Sequence, residues 1–118
     1  MKLTKKMVTE AGAKIGVAKV REMMEAHAST TLVLFFVAIS KARMEGFANK
    51  LFPEGSDDKC EIDVTADQIK EAASDVCKDA LGENKESSIG NLMNVALSLS
   101  FVQDLADALL KEGGGADA

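Results

Sequence analysis

The chain has no tryptophan or tyrosine, one proline, one histidine and two cysteines among 118 residues. Each scarcity excludes something. With few aromatics, and with Ala, Met, Leu and Lys abundant, the composition favours helix over sheet. Cys60 and Cys77 are too few for a disulfide framework and are not spaced as a CxxC pair. The lone His27 cannot complete a zinc site with them. Free thiols in a reducing compartment are therefore expected. The basic start Met1–Lys6 is followed by charges and glycines instead of an apolar run, so no secretory signal is expected. The apolar run Leu32–Ile39 is too short to cross a bilayer. These readings predict a cytoplasmic protein without a membrane segment.

What is present is enough to fold. Apolar residues make up 47% and charged residues 28%, a globular balance in a chain of single-domain size. The net charge of −5 is unevenly distributed. Residues 1–50 carry nine basic side chains against four acidic ones, a surplus of +5. Residues 51–118 carry five against fifteen, a deficit of −10. Such a chain is dipolar if the halves segregate in space. Opposite ends then attract between copies, or each half meets its own partner.

Hydrophobic periodicity predicts four helical segments. The first spans about 4–26, with Met7, Val8, Ala11, Ile15 and Ala18 on one face. Gly12 and Gly16 lie one turn apart, spacing that suits close approach of a neighbouring helix. Residues 26–31 are a soft break, either a true turn capped by Ser29 or Thr30 or a kink in one long helix. The second segment, about 31–52, opens with an all-apolar run that implies burial on every side, and Pro53 ends it. Residues 53–64 are a polar connection. Cys60, Ile62 and Val64 alternate there with charges, as in a short extended piece that lies on the bundle or pairs with another copy.

Thr65 and Gln68 have capping-box spacing, with Val64 and Ile69 as a hydrophobic staple, and open the third helix. Gly82 is the expected left-handed terminator. Ser87 or Ser88 caps a fourth helix over about 89–111, which carries two apolar stripes. The predicted fold is an all-α bundle of four to five helices over residues 1–112, with 113–118 a disordered Gly-rich tail. The last two helices should form an antiparallel hairpin, because their connection is short.

The candidates for chemistry are weak. His27 has no partner that spacing places beside it. The run Glu54-Gly55-Ser56-Asp57-Asp58-Lys59-Cys60-Glu61 lacks the order of a calcium loop. Gly12-x-x-x-Gly16 lacks the Lys-Ser/Thr of a phosphate loop. No catalytic residue, metal or cofactor is expected, and the chain is read as non-enzymatic. For a nucleic-acid partner, Lys5, Lys6, Lys14, Lys19 and Arg21 are the candidate phosphate contacts. On a helix, Lys5 and Lys19 share one side and Lys14 and Arg21 the other, so they form no single stripe. The second apolar stripe of the last helix exceeds what a small monomer needs. It points to an interface at Met23, Met24, Phe101 and Leu105 and to a homo-oligomer, with a dimer favoured.

The run Glu10-Ala11-Gly12-Ala13-Lys14-Ile15-Gly16 is similar to the starts of short prophage proteins. That resemblance covers one helix. It implies a phage or mobile-element accessory protein that binds a host protein, and no residue-level role. The function expected is thus a helical protein–protein interaction module that self-associates; the alternative is a nucleic-acid-associated regulator using the basic first half.

Overall fold

Thr4 ends one element and caps the next. In the computed structural model, which describes residues 1–117 and side chains as far as Glu112, Lys2–Thr4 is a short strand, β1. Helix α1 (Lys5–Glu25) starts at once, with the Thr4 hydroxyl accepting from the Met7 amide at 3.1 Å. The break after α1 is a true turn. His27 takes a left-handed conformation at φ 60°, and its amide and that of Ala28 donate to the carbonyls of Met24 and Met23. Ser29 then accepts from the Leu32 amide and caps α2 (Thr30–Leu51). Phe52 and Pro53 end α2 as the proline predicts.

The extended piece expected near residue 60 is β2 (Glu61–Asp63). It pairs antiparallel with β1 of the same chain, Leu3 opposite Ile62. The Val64 amide continues the ladder to the Met1 carbonyl at 2.9 Å. Leu3 is fully buried, so this ribbon pins the start of α1 against the entry to α3.

Helix α3 (Ala66–Glu83) begins with the Thr65–Gln68 capping box, both bonds present. The staple pair Val64 and Ile69 is buried. Gly82 does not terminate the helix. It stays helical, and Asn84 is the cap, its side-chain amide donating to the Ala80 carbonyl at 2.8 Å. That bond satisfies a carbonyl at the helix end without a left-handed glycine. Ser88 caps α4 (Ile89–Asp117) through the Asn91 amide. The tail expected over 113–118 falls on residues whose side chains, and for Ala118 whose backbone, lie outside the described residues.

The structure is 76% helical, an all-α bundle of four helices with one short sheet. α1 and α2 form an antiparallel hairpin, since Gly12 faces Met44 while their ends meet at residues 26–29. α3 and α4 make the most extensive helix contact, and α4 also packs on α1 and α2. Its Phe101, Val102, Leu105, Ala106 and Leu109 are all buried, with Phe47, Ile69 and Val76 across from them. Segment Ile89–Glu112 is, by length and composition, apolar enough to cross a membrane, and in this fold its second half, from Phe101 to Leu109, lies in the core. From Phe101 onward both apolar stripes are used inside the chain, whereas the first turns of α4 leave Ile89, Leu92 and Ala96 exposed.

The burial expected all around the start of α2 is not observed. Phe36 and Ile39 are buried, but Leu34 is 63% and Val37 45% exposed. α2 meets α1, α3 and α4 over its other faces, and nothing among the described residues covers this one.

Candidate functional site

The uncovered side of α2 continues into a groove shared with α1. Gly12, Ala13 and Gly16 form the α1 wall and leave it low. Phe36, Val37 and Met44 form the other wall, and Phe101 of α4 makes the floor. Phe101 is fixed by an edge-on contact with Phe36, ring centroids 6.4 Å apart at 73°. The cavity measures about 390 Å³.

The two glycines act differently. A Cβ on Gly12 would fall 2.5 Å from the Met44 sulfur, so what Gly12 admits is the Met44 side chain and not the neighbouring backbone that its spacing suggests. At Gly16 a Cβ would meet nothing within 4 Å. Gly16 is there to open space, not to admit a neighbouring backbone.

Among the described residues, Arg21 and Lys41 are the only charged ones lining this groove, one on each wall. Neither makes an ion pair among the described residues. The groove is thus apolar along its bottom and cationic at its rim.

A second polar feature lies across α2. Arg43 is 7% exposed and holds three partners at once. Its Nε donates to Ser98 Oγ at 2.8 Å, Nη1 to Glu83 Oε2 at 2.8 Å and Nη2 to Asn94 Oδ1 at 3.0 Å. Asn94 Oδ1 also accepts from Asn84 and Ser98, which closes a network joining α2, α3 and α4. No buried side-chain nitrogen or oxygen among the described residues lacks a partner. With each guanidinium nitrogen bonded to a side chain of another helix, the network is suited to holding helices in register.

The interface residues expected from sequence are divided by the fold. Met23, Phe101 and Leu105 are buried core residues, and of the four only Met24, 64% exposed, presents its side chain to solvent. The basic candidates are dispersed. Lys5 donates to the Ser56 carbonyl, Lys6 faces Glu10 and Lys19 faces Glu22. Lys14 is exposed without an ion partner among the described residues, and Arg21 belongs to the groove. Sequence reading missed Arg43, Ser98, Asn94 and the groove's α2 wall.

His27 is an exposed turn residue. Cys60 and Cys77 are both half-buried free thiols. Burial pushes the Cys77 thiol above its usual pKa, and the nearby Arg43 charge partly offsets this. No family model matches this chain, and no curated protein or solved structure shows significant similarity to it.

Proposed function

We propose that this chain is a non-enzymatic interaction module that binds protein through the α1–α2 groove. The observation that carries this reading is the open apolar trough with unpaired Arg21 and Lys41 at its rim. An uncovered apolar surface rimmed by charge is the usual signature of a protein contact. The prophage-like opening of α1 adds an accessory role toward a host protein. The nucleic-acid alternative has less support, because Lys5, Lys6 and Lys19 are engaged within the chain and no stripe of cations runs along one face.

The test is a photo-crosslinking amino acid at Val37, with a second at Lys6 as control, in cells of origin. Nuclease-resistant protein adducts at Val37 that are absent at Lys6 are the expected result. Nucleic-acid adducts concentrated at Lys6 would refute the reading and favour the alternative.

A further inference from the structure

Thr9 and Ser40 are, among the described residues, the only uncharged polar side chains lining the α1–α2 groove. Both hydroxyl protons are engaged within their own helices. Thr9 Oγ1 donates to the Lys5 carbonyl at 3.1 Å, and Ser40 Oγ donates to the Val37 carbonyl at 3.0 Å. A ligand in the cavity therefore meets no free side-chain donor on its floor, and two cations at its rim. That disfavours sugars, nucleosides and other ligands recognised by many directed hydrogen bonds, since each polar group buried without a partner costs about 1–3 kcal/mol. It suits a molecule with an apolar body and one anionic end.

The shape fits the same class. At about 390 Å³ the cavity has the size of a small-molecule site, and such sites occur between the helices of bundles. From Thr9 to Arg21 the α1 wall is about 18 Å long at the rise of a helix, so the trough is elongated. Gly16 leaves open volume along it, with nothing within 4 Å of where its Cβ would stand, and the edge-on Phe36–Phe101 pair fixes the floor.

The charge is local to the rim. Arg21 and Lys41 stand on opposite walls. The carboxylates one turn further along their helices, Glu25 and Glu45, make no ion pair with them among the described residues and do not line the groove. Glu22 is paired with Lys19. An anionic end placed at this rim meets a cation from each wall, and a cationic end is repelled by both.

We infer that the α1–α2 groove is a binding site for a free single-chain amphipathic carboxylate, of the medium-chain fatty acid class, with its chain along Gly16 and Phe101 and its carboxylate at Arg21 and Lys41. The ligand is bound and not transformed. This goes beyond the protein-binding reading and does not rest on it. The two occupants use the same floor and so exclude one another.

The probes are decanoate, decyltrimethylammonium and decanol, each added below its micelle concentration to the isotope-labelled full chain and followed by amide chemical shifts. Decanoate is expected to move the amides of Gly12, Gly16, Val37 and Phe101, and to bind roughly tenfold tighter than decyltrimethylammonium, the scale of two exposed charge contacts. Gly16→Leu places a side chain in open space and is expected to abolish binding. Arg21→Glu combined with Lys41→Glu changes two exposed residues and is expected to reverse the preference toward the cationic probe. Circular dichroism checks that both variants fold. No shift with decanoate, equal affinity for the three probes, or shifts confined to the exposed start of α4 overturns the inference. So does a chain that ignores free decanoate and binds phosphatidylglycerol vesicles, which would mark a membrane surface. A chain that ignores decanoate and still crosslinks to protein from Val37 overturns the carboxylate site while the protein-binding reading stands.

Discussion

Arg43 shows what one residue can fix in a small bundle. A guanidinium is costly to bury unless its donors are matched, and here Ser98, Asn94 and Glu83 match it from two other helices. Removing different members of the set should not cost the same. Ser98→Ala leaves Arg43 Nε buried without an acceptor, at about 1–3 kcal/mol. Arg43→Ala leaves Ser98 and Asn94 bonded to each other and Glu83 rehydrated, but it removes three bonds at once and opens a void, at roughly 2–5 kcal/mol. Glu83→Ala leaves Arg43 Nη1 without its acceptor, but Glu83 is 62% exposed, so water reaches that position and the loss should fall at the low end of about 1–3 kcal/mol, below that of Ser98→Ala. Urea unfolding of the three variants checks the order, and equal losses would mean the network is not the unit described.

The same neighbourhood governs Cys77. Its raised pKa means less thiolate at a given pH, so iodoacetamide labelling between about pH 7 and 9 should lag that of a free thiol. The linked stability term has a definite sign. The folded chain holds the thiol proton more tightly than the unfolded chain. The contribution is therefore complete below the ordinary thiol pKa and declines as pH rises through the folded value. Labelling followed by mass spectrometry across that range reads the first effect directly.

At the scale of elements, the contrast between Gly12 and Gly16 gives a sharp expectation. Gly16→Ala meets no atom and removes backbone freedom from the unfolded chain, so it should stabilise α1 by up to about 1 kcal/mol. Gly12→Ala forces Met44 to move and should gain less or lose stability. Thermal melting of both variants separates them. What was legible in the sequence follows the same division between near and far. The Thr65–Gln68 box, the Ser29 and Ser88 caps and the stop at Pro53 are contacts within one turn of chain, so a few adjacent residues encode them. Gly82 misled because its role depends on Asn84 and on Glu83 being held by Arg43 from another helix. The Arg43 network joins positions 40 to 55 apart, and no local pattern announces it. The groove was half visible, in Gly12 and Gly16. Its other wall was concealed because an all-apolar run reads as buried whether or not anything covers it.

For the whole molecule, the question is whether two hairpins of opposite charge behave as one body. Three features join them. α4 packs on all the other helices, Arg43 spans α2 to α4, and the β1–β2 ribbon links the start of α1 to the entry of α3. Leu3 is the apolar centre of that ribbon and is fully buried, so Leu3→Ala should cost about 2–5 kcal/mol. Where that loss is felt distinguishes two kinds of molecule. In a single cooperative unit, every slowly exchanging amide opens through global unfolding, and its protection falls by the same free energy. In a molecule of two loosely joined hairpins, the loss stays near α1 and β2. Because α4 supplies the largest part of the core and touches every other helix, the expected result is uniform. Amides around Val102 and Leu105, on a different element from the substitution, should lose as much protection as those around Val8. Native-state hydrogen exchange on the wild type and Leu3→Ala measures both sets together, and unchanged protection in α4 would refute the single-unit account.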